Sequence, residues 1–260
     1  MIQTKRVTLY QADDLMAKVT YYPPHMRMTP HAHDNHQFSF LLAGSLTEET
    51  PQNSETRRMP SRGIKWAGQI HEDRYGPNGA LIFSIALAPD AAESLRQQPL
   101  WRWEPLAPVV DRKNPREQLL RLLCKSPESE RLDIIWDLIA LPFGADDCAP
   151  QDACPQWLTC VLEELHEAPD TADLGQIAQI HGVHRGHLSR AFKNRFGVSP
   201  SQYRSHAQVM RGVVHMMEGQ RPIQAAYGAG FADQSHFSRM VDRYLGITPG
   251  RLGAMLQPTG

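Results

Sequence analysis

The strongest constraint on this 260-residue chain is an imperfect internal repeat near its end. A shift of 49 positions lays His187-Leu188-Ser189-Arg190 on His236-Phe237-Ser238-Arg239, Gly197 on Gly246 and Pro200 on Pro249. Upstream, Gly182-Val183 falls on Gly230-Phe231 at a shift of 48, so the second copy carries one extra residue between turn and helix. Two copies are too few for a solenoid, in which three or more units stack to bury their faces. They suit a module used as a pair.

Each copy reads as helix, tight turn, helix. Asp173 can cap a helix, with Gln176 three residues on, and Leu174, Ile177 and Ala178 give it an apolar face. Gly182 suits the turn, where a positive φ costs glycine nothing. In the helix that follows, Leu188, Ala191, Phe192 and Phe196 face inward. Arg185, Ser189, Arg190, Lys193 and Asn194 take the other side. Gly197 stops it, and Ser199-Pro200 restart the chain as cap and first-turn proline. In the second copy Pro222 opens a helix through Ala225-Ala226, Gly230 turns, and Gln234 to Leu245 form the second helix. Gly246 ends that helix and Thr248-Pro249 repeat the restart.

A short helix, a glycine turn and a polar-faced helix form a helix-turn-helix, whose second helix enters the major groove of DNA. Arginine contacts guanine edges bidentately, and glutamine and serine make adenine-directed or smaller contacts. An ordinary helical bundle with a solvated basic face would carry a similar pattern once. Ser-Arg at the same helical position in two copies argues against it.

The stretches HLSRAFKNRFGVSPSQYR and GFADQSHFSRMVDRYLGITP resemble the tandem helix-turn-helix domain of the AraC family of transcription regulators, over about the last hundred residues. The resemblance implies two recognition helices reading consecutive major-groove segments of an operator, joined by a long helix. By position, it makes Gly186, Ser189 and Arg190 the base-facing residues of the first copy. Gln234, Ser235, Ser238 and Arg239 are those of the second, and Arg185 and Lys193 complete the DNA-binding set. Three departures stand out. Gly186 offers no side chain, Val241-Asp242 replaces the usual Phe-Lys, and Gln208 and Gly212 stand where Arg and Ala are usual. An aspartate in place of a lysine repels phosphate, so a modest affinity is expected of the monomer.

Charge and composition agree with this reading. From Thr171 onward ten Lys and Arg face four Asp and Glu, so this segment is +6 within a chain of net charge −1. A basic end on an acidic body fits phosphate binding. With 41% hydrophobic and 21% charged residues, the chain has the balance of a globular protein of two domains. There is no run long enough to span a bilayer and no signal-peptide core, so a cytoplasmic protein without membrane partners is expected. Cys124, Cys148, Cys154 and Cys160 contain no Cys-x-x-Cys pair, which leaves reduced thiols or a redox switch rather than a zinc site.

Residues 1–112 read as a sheet. Phe38, Phe40 and Leu42 alternate with Gln37, Ser39 and Leu41, and Leu81, Phe83, Ile85 and Leu87 alternate with Ile82, Ser84 and Ala86. Pro-Asn-Gly at 77–79 supplies a turn, and a small barrel or sandwich would close such strands. Within it lies His31-Ala-His33-Asp-Asn-His36-Gln37, with Gly44 farther on. His31 and His33, two apart on a strand, would share one face and could hold one metal ion. This run resembles the first cupin motif with Gln37 in place of the glutamate, and Pro60-Ser-Arg-Gly63 with His71 resembles a loose second motif. The stretch GQIHEDRYGPNGALIFSIAL is similar to the sensor barrels attached to AraC-type domains. The resemblance makes His31, His33, Gln37, Trp66 and His71 candidate effector-binding residues. His31, His33 and His71 are the candidate ligands of a divalent metal, in a chain otherwise expected to carry no cofactor. His36 is expected at the surface or at a strand end. No nucleophilic triad, phosphate loop or paired carboxylates at telling spacing points to an enzyme.

The middle of the chain turns helical from about Pro115 to Gly144. Leu119, Leu120, Leu122 and Leu123 cluster first; Leu132, Ile135, Trp136 and Ile139 then recur at helical spacing, with Ile134 and Leu138 widening the face to suggest burial on two sides. The stripe serves equally as a dimer seam or as packing on the chain's own barrel. Gly144 to Pro155 reads as a linker.

Together these readings give an α+β chain of two domains. Residues 1–112 are a cupin-like effector-sensing barrel, 113–150 a helical dimerisation segment and linker, and 151–260 an all-α domain with two helix-turn-helix motifs. The expected function is a sequence-specific DNA-binding transcriptional regulator. Its partners would be an operator, a small-molecule effector and, from the resemblance, a second copy of the chain and RNA polymerase. The alternative is a metal-dependent cupin oxygenase or isomerase with the helical domain as a targeting or interaction module.

Overall fold

The two alternating runs become the longest strands of the computed structural model, β4 (His36–Glu49) and β7 (His71–Leu87). The structure describes residues 3–57, 61–91, 102–105, 127–139, 154–169, 173–196 and 198–255. β4 and β7 pair antiparallel twice, His36 to Gly44 with Ala80 to Leu87 and then Leu46 to Glu49 with Glu72 to Tyr75. Register shifts mark the break between the two halves. Gly44 sits there at φ +86°, where a Cβ would lie 2.8 Å from Ala80 Cα. Only glycine lets the two backbones approach so closely at this bend.

The first half is flanked by β2 (Leu15–Tyr22), with β1 (Lys5–Gln11) beyond it, and on its other edge by β6 (Ser61–Lys65) and β8 (Arg102–Pro105). The second half takes β3 (Arg27–His31) on β7 and β5 (Ser54–Arg57) on β4. This is the antiparallel architecture expected of the N-terminal region.

Alternation sorts the side chains between two surroundings. Ala17, Val19 and Tyr21 of β2, Phe38, Phe40 and Leu42 of β4, and Leu81, Phe83, Ile85 and Leu87 of β7 join one buried apolar cluster. Their neighbours of opposite parity, Lys18, Tyr22, Gln37, Ser39, Ile82 and Ser84, line a cavity. The apolar side is closed by α1 (Glu128–Ile139), whose Ile134, Ile135, Leu138 and Ile139 enter the same cluster. Arg131 Nη1 donates to the Leu9 carbonyl at 2.6 Å, pinning the helix to β1. Burial is on one side, not two, and Trp136 is exposed. At 3.6 residues per turn positions 134, 135, 138 and 139 form one stripe, and 136 falls well off it. Leu119, Leu120, Leu122, Leu123, Cys124, Cys148 and the linker up to Ala153 lie outside the described residues. Cys154 and Cys160 are free and partly buried.

The C-terminal region is helical: α2 (Gln156–Glu167), α3 (Leu174–Ile180), α4 (Arg185–Phe196), α5 (Pro200–Met217), α6 (Pro222–Gly228), α7 (Gln234–Leu245) and α8 (Pro249–Met255). The local signals act as expected. Asp173 Oδ1 accepts from Gly175 N and Gln176 N at 2.7 and 2.9 Å. Ser199 and Gln202 form a full capping box. Gly182, Gly230 and Gly246 turn at φ +64°, +78° and +70°. Gly197 lies outside the described residues.

α5 organises this region. Tyr203 packs with Leu188 and Phe192 in the first unit's core, while Val209, Val213, Met216 and Met217 pack with Phe237, Val241 and Leu245 of the second. Gly212 belongs to the second contact, since a Cβ there would fall 2.8 Å from Cζ of the fully buried Phe237. The departure from alanine thus admits an aromatic ring. Gly212→Ala is expected to destabilise the protein by about 1–3 kcal/mol through overpacking. Helix propensity alone would give a gain of about 1 kcal/mol. The sign of the shift in the chemical denaturation midpoint separates the two.

Candidate functional site

Two surfaces carry the chemistry expected from the sequence. The first is the exposed side of α4 and α7. Leu188 and Phe192, both fully buried, hold α4 against α2, α3 and α5. Gly186 N donates to His184 Nδ1 at 3.1 Å at its start. This orientation leaves Arg185, Arg190 and Lys193 exposed, with Ser189 and Gly186 half-buried beneath them. In α7, Asp233 Oδ1 accepts from His236 N at 2.7 Å, and Phe237, Val241 and Leu245 are fully buried. Gln234, Ser235 and Arg239 are exposed and Ser238 is half-buried. Among the described residues no ion pair engages Arg185, Arg190, Lys193 or Arg239. Asp242 is half-buried and has a partner within the protein, so its charge does not stand freely on this surface.

The second surface is the polar side of the sheet. His31 ends β3, His33 lies in the turn after it, and His71 opens β7 opposite His31. The expectation that His31 and His33 share one strand is therefore corrected. The strand ends between them, and the turn, held by Gly68 N donating to the His33 carbonyl at 2.8 Å, brings the second ring back. The three rings converge with centroids 4.3–5.1 Å apart, and one ligand atom from each lies within 4.8 Å of the others.

The histidine geometry suits a metal. His31 Nδ1 lies 2.9 Å from the Thr29 carbonyl and His71 Nδ1 3.1 Å from that of Gln69. A carbonyl only accepts, so both Nδ1 atoms carry the proton and both Nε2 atoms present a lone pair. Those Nε2 atoms are buried without hydrogen-bond partners. Backbone carbonyls that fix the tautomer of metal-ligating histidines are a common supporting arrangement. Burial first, then the nearby Lys65 ammonium, holds both His33 and His71 down at about 4. His33 and His71 are thus neutral at pH 7, as a metal ligand must be.

Behind the rings lies a buried ionic group. Lys65 Nζ sits 3.2 Å from Glu48 Oε2 and 3.7 Å from Asp73 Oδ2, and Asp73 Oδ2 is 4.0 Å from His71 Nε2. Burial opposes the Lys65 charge, but Glu48 and Asp73 outweigh it and raise its pKa. Gln37 lines the cavity. Trp66 is not among the residues lining it and packs edge-on against His36 at 4.8 Å between centroids. His36 opens β4 as a strand-end residue but is buried, its Nδ1 accepting from Ala67 N at 2.9 Å. Lys18, Lys65 and Asp73 belong to no motif in the sequence. Alternation with Thr20 and Tyr22 could have found Lys18, but the pairing of Lys65 with Asp73 depends on strand register.

A family model described as a helix-turn-helix domain matches residues 172–254. The C-terminal region is an AraC-type helix-turn-helix domain. The match takes in both turn glycines, Gly182 and Gly230, and both polar-faced helices of the AraC-type domain. Among curated proteins, the uncharacterized HTH-type transcriptional regulator YbfI of Bacillus subtilis (strain 168) is 32% identical over 79 residues, 30% of this chain. The chain spans 28% of the length of that relative. Among solved structures, ToxT from Vibrio cholerae O395 is 13% identical with a TM-score of 0.39, covering 99% of this chain and 98% of that one. A cupin superfamily protein from Desulfitobacterium hafniense DCB-2 is 13% identical with a TM-score of 0.31, covering 33% of this chain and 78% of that one. Both TM-scores mark a loose likeness. No described helix is long and apolar enough to cross a membrane.

The depressed histidines have a consequence for the metal-free protein. Between about pH 6.5 and about 4 the unfolded chain takes up protons at His33 and His71 before the folded one does. Stability therefore falls as pH is lowered through that window. The thermal unfolding midpoint of metal-free protein is expected to drop across it, and His33→Ala and His71→Ala each to flatten the drop.

Proposed function

We propose that the chain is a sequence-specific DNA-binding transcriptional regulator whose N-terminal sheet senses a small-molecule effector. Residues 1–112 form the sensor, 113–150 the connecting helical segment, and 151–260 the DNA-binding domain. One observation carries the reading. Ser189-Arg190 and Ser238-Arg239 occupy the same position of the second helix in two units, and both arginines are exposed without an ion pair among the described residues. At about 1.5 Å per residue the 18-residue α5 between them spans about 27 Å. That suits two segments about one helical turn of DNA apart, roughly 34 Å. Binding as a homodimer and contact with RNA polymerase belong to the same proposal, supported by the family resemblance.

Selection from a random DNA pool at stated salt should recover two boxes about one turn apart. On the selected site Arg190→Ala and Arg239→Ala should each cost about 1–3 kcal/mol and relax preference at one base. Equal affinity of both variants and wild type would refute the assignment of the recognition helices.

The effector site is placed in the cavity below His31, His33 and His71, with these three holding a divalent transition metal of the imidazole-favouring kind. When bound, the metal would supply a positive centre with an open coordination position. That open position also favours a second reading, a metal-dependent oxygenase or isomerase activity of the N-terminal region. Turnover of a substrate independent of DNA would support it.

Coupling between sensor and DNA-binding domain has a physical route. His166 of α2 places Nε2 3.4 Å from Ser45 Oγ of β4 and Nδ1 3.1 Å from the Tyr203 hydroxyl of α5. Asn78 Nδ2 of β7 donates to the His166 carbonyl at 3.2 Å. His206 Nε2 of α5 donates to the Leu42 carbonyl at 3.1 Å, and Lys5 Nζ donates to the Met217 carbonyl at 3.2 Å. Strand β4 thus carries cavity residues Gln37, Ser39 and Leu46 alongside seam residues Leu42 and Ser45. An effector that favours one arrangement of β4 would shift the population of α5 orientations. His166→Ala is expected to keep DNA binding and effector binding while weakening the effect of each on the other. Double titrations showing unchanged coupling would remove this route.

A further inference from the structure

We propose that the cavity below the three histidines recognises a small carboxylate, with Lys18 and Arg6 as the residues that meet its charge. The proposal deepens the effector reading above and rests on it. Arg6 and Lys18 both line the cavity. In the β1–β2 register Arg6 stands opposite Thr20 and Thr8 opposite Lys18, which makes the two cations diagonal neighbours on one face. Two like charges on adjacent strands repel, and among the described residues no carboxylate pairs with either. Burial, and then the Arg6 charge, holds the Lys18 ammonium below its ordinary pKa. By contrast, the third cation of the cavity is already compensated, since Lys65 faces both Glu48 and Asp73.

The charge is therefore divided along the cavity. The Lys65 end carries two carboxylates against one ammonium, and the Lys18 end carries two cations with no anion. An anion at this end would relieve the repulsion, and a carboxylate fits it in charge and in acceptor geometry.

Size narrows the class. The cavity is small, about 90 Å³, against roughly 300–1,000 Å³ for pockets that enclose drug-sized ligands. A compact acid suits it better than a lipid or a nucleotide.

The test uses the full-length protein at constant ionic strength, metal-free and loaded with Co(II). Acetate, lactate and benzoate are compared, each against its neutral amide, by the thermal unfolding midpoint and by calorimetric titration. At least one acid should raise the midpoint with concentration where its amide does not. Lys18→Met and Arg6→Met should each weaken that acid about tenfold or more, and without ligand neither should lower the midpoint, because each removes a repulsion. Acids and amides acting alike would overturn the proposal. So would unchanged affinity in both variants, or a ligand-free loss of stability showing that the cations are structural. The same acid is then added to the DNA-binding assay. Carboxylate binding that leaves DNA affinity unaltered would keep this site and remove its role as effector site. A DNA response confined to neutral compounds would keep the effector reading and sink the carboxylate.

Discussion

The burial of α5 is the constraint on which the rest of this structure depends. Along its 18 residues, Tyr203 reaches into the first helix-turn-helix core and Phe237 lies against Gly212 from the second. His206 hydrogen-bonds the backbone of β4. One rigid rod therefore sets the separation of the two polar-faced helices and also touches the sheet. No single contact is large, but a helix buried along most of its length resists rotation because every residue would have to repack at once.

The sheet solves a different problem. Its apolar parity is spent on the cluster shared with α1, so the other parity is free to be polar. Burying Lys65, Glu48, Asp73 and His71 costs desolvation that a core of aliphatic side chains would not. That cost is met in part by the Lys65 pairs and by keeping His71 and the half-buried His33 neutral. Fold stability does not require such a cavity. His31 Nε2, His71 Nε2 and Asp73 Oδ1 have no hydrogen-bond partner within the protein, which leaves them open to a bound group.

Much of the helical region was legible from local rules. Asp173, Ser199 with Gln202, Pro222, Gly182, Gly230 and Gly246 all act over three or four residues, a range on which the sequence speaks directly. The alternation of β4 and β7 was legible for the same reason. Other features depended on distant neighbours. Trp136 fits an apolar stripe by type, yet it is exposed because Ile134, Ile135, Leu138 and Ile139 take the side facing the sheet. Trp66, an effector-binding candidate by resemblance, packs on His36 and does not line the cavity. His33 reaches its cluster through a turn and not along a strand, and no period-two argument describes a turn.

By itself, then, the sequence determined the paired helix-turn-helix units, their caps and stops, the residues on their open faces and the two-faced character of the long strands. These follow from backbone propensity and from periods of 3.6 and 2, which need no knowledge of the partner. Only the tertiary structure decided that Lys18 and Arg6 stand side by side, that Lys65 joins Glu48 and Asp73, and that His166 meets Ser45. Each of those contacts joins residues on different strands or helices. Their distances are set by strand register and by the bend at Gly44, which long-range packing fixes and local sequence does not.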